Sequence, residues 1–428
     1  DKLTEFISIQ NSGVYRKKVS ADVERLTLDN GLQIYMKKVK GKPSVGVSLT
    51  YKVSQLNETV KERGLNLLTA GSMLYGNEKR NYQQMVKYCS SNGINLGITP
   101  HMETTTLKLK CFREMLPTTL ELMQDIIYHP TFPSEHIENL KQTYISNLNR
   151  IQDYPTQLNN KLWRQLLFGK QSNLVDRQGN KTSLKAINRS RILKWYRKYY
   201  QPQNMVLAIV GNIAFDEIGD ICNRLLSTTS STGVISEQKA ILSNKQMHYK
   251  KTKKEISQSI IQIGGWACSA SQQKENTAFY VLSEILGGDL DSLLFNELRE
   301  KRGLAYSVDF SFSAYKKFGY WAAAAIVDKK NEKLALKTIK TVLKKLQKDE
   351  ISDYELQKVK NYIRGQRLQE DESLLNQAIT ISNLISIGLN YEYYLNRDKR
   401  LQEVSKDIIH KLAQLYFNKD NFYTHILL

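Results

Sequence analysis

Two side chains in the later part of the sequence carry several hydrogen-bond donors within four residues of each other. They are the guanidinium of Arg302, a planar fork of donors, and the phenol of Tyr306. Between them, Gly303 follows a helix-like run from Leu293 to Arg302 and suits the left-handed residue that ends a helix. On spacing alone, Arg302 complements a helix C-terminus. Tyr306 then opens a strand in which Tyr306, Val308, Phe310 and Phe312 alternate with Ser307, Asp309, Ser311 and Ser313. Metal chemistry finds less support. The six histidines are His101, His129, His136, His248, His410 and His425, and no two share helical metal spacing. His129 and His136 are separated by Pro130 and Pro133, which break any helix between them. Cys89, Cys111, Cys222 and Cys268 fit neither a zinc ribbon nor a dense disulfide framework, and free, mostly buried thiols are expected. Gly287-Gly288 before Asp289 lacks the Gly-Lys-Ser/Thr ending of a phosphate loop and reads as a turn.

The elements that must position these residues repeat along the chain. Leu116, Leu120, Met123 and Ile127 recur at helical spacing. Phe132 follows, and then a second helix carries Ile137, Leu140 and Tyr144, with Ser134 as its cap. The same figure returns with Ile339, Val342 and Leu346, then Ile351, a capping Asp353, and Leu356, Val359 and Ile363. By subtraction, Leu120 to Ile339, Met123 to Val342, Phe132 to Ile351 and Tyr144 to Ile363 are each 219 positions apart. Both halves also close alike, Tyr199 to Asn204 leading into an apolar strand and Tyr416 to Asn421 into another. Such self-similarity implies two homologous domains. The expected boundaries are 1–226 for the first repeat, 227–250 for a linker opened by a Ser/Thr tract at 227–233, and 251–428 for the second. Residues 45–53, 104–111, 259–264, 305–313 and 320–327 read as strands. The expected class is α+β, with helices packed on one face of a mostly antiparallel sheet in each half.

With 428 residues, 41% hydrophobic and 24% charged, the chain has the composition of a folded two-domain protein and excludes disorder as the main state. The net charge of +20 favours acidic partners, although the lysines are scattered and no arginine-rich run marks a nucleic-acid surface. Lys250, Lys251, Lys253 and Lys254 read as a charged strand edge. The charge-free stretch 373–391 is interrupted by Asn376, Gln377, Thr380, Asn383 and Ser386, and is an amphipathic helix in place of a membrane span. No signal peptide is visible, and Asp1 in place of Met is compatible with a removed leader.

Several segments carry a resemblance. Arg299-Glu300-Lys301-Arg302-Gly303-Leu304-Ala305-Tyr306-Ser307-Val308 resembles the second-half signature of the insulinase and mitochondrial-processing-peptidase family of zinc peptidases. Gly93 to Thr99 with Thr104-Thr105-Thr106 resembles that family's substrate strand, and Gly64 to Gly76 resembles its metal-binding helix. The resemblance implies two homologous halves enclosing a chamber. It also implies a His-x-x-Glu-His helix, in which two imidazoles one turn apart hold zinc and the Glu activates a water. At those positions this chain has Leu67, Ala70 and Gly71, and at the third ligand position Asn147. None suits zinc, so no metal is expected in this chain.

In the family, residues matching Arg302 and Tyr306 reach the scissile carbonyl and the oxyanion. In some members these groups and the zinc lie on different subunits. The resemblance therefore implies a non-zinc subunit of a heterodimeric metallopeptidase, inactive alone. It would supply Arg302 and Tyr306 in trans to a zinc-bearing homologue. The segment Asn95, Leu96 and Gly97 would pair with an unfolded peptide, the alternative for that segment being an ordinary sheet edge or a strand paired within its own half. Two rival readings remain: a purely structural subunit, as in the core proteins of a respiratory complex, and a homodimeric peptide-binding protein. The expected compartment is the periplasm for a bacterial chain and the mitochondrion for a eukaryotic one.

Overall fold

The structure is a computed structural model that describes residues 14–170, 172–176, 178–227, 238–240, 248–289 and 291–428. Most of the expected linker, 228–237 and 241–247, lies outside the described residues.

The first sheet is built from β1 (Tyr15–Ser20), β2 (Val23–Thr27), β3 (Gln33–Lys38), β4 (Ser44–Tyr51), β5 (Asn95–Pro100), β6 (Thr105–Phe112) and β7 (Met205–Gly211). Their order is β1-β2-β3-β7-β4-β6-β5, antiparallel except for β3 against β7. β7 is buried at every position, and its sequence Met-Val-Leu-Ala-Ile-Val-Gly shows why. Met205, Leu207 and Ile209 enter the main core with Leu120, Met123 and Ile127. Val206, Ala208 and Val210 enter a second cluster on the other face, with Leu374, Ala378, Ile381 and Ile385. A strand covered on both faces reads as a continuous apolar run. The cover on that second face is the helix Leu374–Ser386, started by Ser373, whose side chain accepts from the Asn376 amide. Gly46 of β4 lets the helix approach, since a Cβ there would stand 2.5 Å from the Leu374 backbone. Ser48 and Thr50 meet Ser382 through hydroxyl hydrogen bonds of 2.8 Å, and Asn383 Oδ1 accepts from Thr106 at 3.1 Å.

The second sheet contains β8 (Tyr249–Thr252), β9 (Gln258–Ala267), β10 (Ala305–Ala314), β11 (Gly319–Asp328) and β12 (Tyr423–Leu427). Their order is β10-β11-β9-β12-β8, with only β12 and β8 parallel. One face packs on the helices Gln273–Gly287, Glu332–Leu346 and Lys406–Tyr416. The other receives the helix Pro155–Phe168. Trp163 of that helix is 1% exposed, donates from Nε1 to the Tyr423 carbonyl at 2.8 Å, and fills the space left by Gly264. Buried His425 is held between Asn159 Oδ1 at 2.6 Å and Thr252 Oγ at 3.0 Å.

The α+β class and the duplicated sheet-and-helix layout hold. The packing boundaries differ from the contiguous boundaries 1–226 and 251–428. One compact unit comprises residues up to Leu148, Asp176–Ala240 and Gln369–Tyr394; the other comprises Asn149–Val175, Ile241–Leu368 and Leu395–Leu428. Each half of the sequence thus lends a helix to the sheet of the other. The reason is physical: both sheets are apolar on two faces, and local repeats supply helices for only one.

Candidate functional site

The helix Leu65–Ser72 holds the positions where a zinc motif would lie. Gly64 adopts φ +88° at its start, and a Cβ there would meet the Gln178 carbonyl at 2.9 Å. Buried Glu58 accepts from the Gly64 and Asn66 amides at 3.0 and 2.7 Å, satisfying two of the helix's orphan donors. Asn66 then fixes the helix laterally, donating to Thr105 Oγ at 3.0 Å and accepting from the Tyr200 hydroxyl at 2.9 Å.

On this helix Leu67 is half-buried, Ala70 fully buried and Gly71 half-buried. A Cβ at Gly71 would lie 3.4 Å from Leu140 and 3.5 Å from the Tyr144 hydroxyl, so the helix Ser134–Arg150 runs directly across it. Asn147, exposed, continues the Leu140–Tyr144 face by one further turn. Gly71 thus faces the helix that carries Asn147, and the side chains of Leu67, Ala70 and Gly71 offer no metal donor. His136, on the first turn of the second helix, stacks on Tyr75 at 4.6 Å between ring centroids and faces Tyr82. Among the described residues, no group of three His, Cys, Asp or Glu side chains could hold a metal ion. Purified protein dialysed against excess zinc is expected to retain far less than one equivalent per chain by elemental analysis. Stoichiometric zinc, lost on Gly71→Leu, would contradict this.

β5, which holds Asn95, Leu96 and Gly97, lies at the end of the first sheet and pairs only with β6 among the described residues. It also packs beside the helix Leu65–Ser72. The segment is thus an edge strand paired within its own half on one side, with no partner strand on the other among the described residues.

In the second unit, Leu293–Phe295 continues into a π turn, Asn296–Glu300, a widened form of the expected single helix. Gly303 closes it at φ +59°, its amide donating to the Arg299 carbonyl at 2.9 Å. Arg302 is exposed and donates to the Glu297 carbonyl at 3.0 Å, and it pairs with the Glu297 carboxylate. Hydrogen bonds from Lys301 and then Arg302 hold that carboxylate below its usual range. Tyr306 departs from the expected alternation. Ala305 pairs with Val327 and Ser307 with Ile326, leaving Tyr306 as the extra residue of a β-bulge. Ala305, Val308, Phe310 and Phe312 therefore face the core, and Tyr306 is 65% exposed. Arg299 steadies the bulge by donating to the Tyr306 carbonyl at 3.3 Å.

Two buried titrating groups were not legible as such in the sequence. Burial pushes the Glu58 carboxyl up to about 8 against its two amide donors. Burial, with Lys250 nearby, pushes the His425 imidazole down to about 4. Folded Glu58 keeps a proton that the unfolded carboxyl has lost above its ordinary 4.5, so this contribution falls as pH rises from 4.5 to 8. His425 has the opposite sign: its contribution is full above the ordinary 6.5 and is lost as pH falls toward 4. The two oppose each other between 4.5 and 6.5. His425→Gln should remove the rising part, and its stability relative to the parent should shift by on the order of 2–3 kcal/mol between pH 4 and 6.5. Urea unfolding at stepped pH measures this; a difference constant with pH would contradict it.

The fold and site define a duplicated α+β peptidase scaffold without the residues of its metal centre. Residues 34–172 match the family model described as insulinase, peptidase family M16, and residues 186–363 match that of the M16 inactive domain. The chain is 23% identical to an uncharacterized zinc protease, YmxG, of Bacillus subtilis, over 93% of this chain and 96% of that one. It is 20% identical to the non-peptidase homolog YmxG of Helicobacter pylori, over 80% and 79%. The solved M16 inactive domain from Pseudomonas fluorescens superposes with a TM-score of 0.88 at 17% identity, covering 95% of this chain and 98% of that one. The chain belongs to the insulinase family, as a member without the His-x-x-Glu-His motif. No described helix is long and apolar enough to cross a membrane.

Proposed function

We propose that this chain is the non-zinc subunit of a heterodimeric metallopeptidase. It supplies Arg302 and Tyr306 to the active site of a homologous partner carrying His-x-x-Glu-His, and the open edge of β5 at Asn95, Leu96 and Gly97 pairs with an unfolded peptide. Zinc belongs to the partner. The observation that carries this reading is the bulge that turns Tyr306 out of the core while the zinc positions are lost. A large aromatic held in solvent by a strand irregularity is suited to donate a hydrogen bond to developing charge.

A second reading, a structural or peptide-binding subunit without catalytic contribution, has its own support. Arg302 is already engaged by Glu297, a contact that a helix-ending arginine makes for stability alone. Co-expression with a zinc-motif homologue from the same organism tests the shared premise. A stable one-to-one complex is expected on size exclusion. Two separate peaks at micromolar concentration would argue against both heterodimer readings.

A further inference from the structure

Among the described residues, the second unit has a strand edge without a further partner strand, beside a row of cations. β8 closes one side of its sheet. The Thr424 amide donates to the His248 carbonyl at 2.8 Å and the Leu428 amide to the Thr252 carbonyl at 3.0 Å. The even-numbered residues of β8 therefore bond to β12, and the main-chain groups of Tyr249 and Lys251 point to the open edge. Alongside, the helix Glu332–Leu346 buries Ala335, Ile339, Val342 and Leu343 and exposes Lys333, Lys337, Lys340 and Lys344, which follow one helical face. A groove of about 400 Å³ lies here, lined by those four lysines, Tyr249 and Leu336. Its one lining carboxylate, Glu332, is taken by Lys251 at 2.6 Å, a bond that ties strand to helix. Among the described residues the four lysines have no ion pair.

We infer that this groove binds an extended acidic polypeptide of a partner, which adds as a strand to β8 and lays its carboxylates along the lysine row. A polypeptide matches both halves of the feature. Main-chain groups at an open edge recognise another main chain, whereas a phosphate chain or a lipid headgroup would engage only the lysines. The lengths agree: eleven helical steps from Lys333 to Lys344 span roughly 16 Å, the reach of about five extended residues. The net charge of +20 would speed encounter with such a partner. This inference is independent of the role proposed for Arg302 and Tyr306.

The test uses the full chain and a fluorescein-labelled twelve-residue peptide of alternating Glu and Thr at low salt. Saturable binding is expected. The exposed double variant Lys337→Glu/Lys340→Glu, verified as folded by circular dichroism, should weaken it at least tenfold. A peptide N-methylated at alternate residues, with its charge intact, should weaken at least tenfold as well. No binding by the parent, equal binding of the N-methylated peptide, or indifference to the lysine substitutions would overturn the inference. So would tighter binding of tripolyphosphate or of phosphatidylserine vesicles than of the peptide.

Discussion

Tyr306→Phe, in an intact complex with the zinc-bearing partner, is expected to lower turnover by about 10²–10³, or roughly 3–4 kcal/mol, the usual effect of losing one preorganised oxyanion donor. The effect should fall on turnover because the charge in question develops only in the transition state. Tyr306 stands at a bulge and is exposed, so removing its hydroxyl leaves the core face of β10 untouched. Assembly and peptide affinity should therefore stay near the parent values. Arg302→Ala should lower turnover comparably. Its exposed contact with Glu297 contributes only a few tenths of a kcal/mol to stability, as surface ion pairs and helix-end charges do. Glu297→Gln serves as the control: it breaks the ion pair and keeps the guanidinium, so it should leave turnover largely intact. If both site variants keep near-normal turnover in an assembled complex, the structural-subunit reading replaces the shared-site one.

Trp163→Ala should be the most destabilising of the single substitutions considered, costing about 3–5 kcal/mol by urea unfolding. The indole is fully buried against Gly264, and its Nε1 donates to the Tyr423 carbonyl, so truncation leaves a cavity and removes a buried hydrogen bond. Tyr354→Ala, at an aromatic 77% exposed, should change stability by less than about 0.5 kcal/mol. A related outcome follows from the exchanged helices. Cleavage between 227 and 250 should yield two fragments that stay together under native conditions. The helix Pro155–Phe168 packs on β9 and β12, and the helix Leu374–Ser386 packs on β4 and β7. Fragments that separate without denaturant, or a Trp163→Ala protein as stable as the parent, would contradict this packing.

Much of the fold was legible because its signals are local. The constant offset of 219 positions reveals the duplication, and Gly303 and the strand runs mark their elements correctly. The exchange of helices was not legible. The amphipathic pattern of 374–386 shows that the helix buries one face, and nothing in it names β7 as the surface it covers. Likewise Met205 to Val210 reads as apolar throughout, which requires cover on both faces without saying from where. At the site, the absence of a metal donor or a general base at Leu67, Ala70 and Gly71 could be read directly, since one helix turn fixes their relation. The sequence pattern groups Tyr306 with Val308, Phe310 and Phe312, but a bulge between Ala305 and Ser307 sets it apart from the alternation that those three keep. Ala305 and Val308 on one core face were the trace of it, an odd and an even position that strict alternation cannot reconcile. Glu58 left no trace, since its burial depends on how 58–66 folds back over the helix start.

The central claim is most directly tested by peptide hydrolysis measured for this chain alone, for the zinc-bearing homologue alone, and for an equimolar mixture. An unfolded polypeptide serves as substrate. The account predicts no turnover by this chain, weak or no turnover by the homologue, and a gain of at least about 10² in the mixture, lost again in the mixture made with Tyr306→Phe. Hydrolysis by the homologue alone at the rate of the mixture would contradict it.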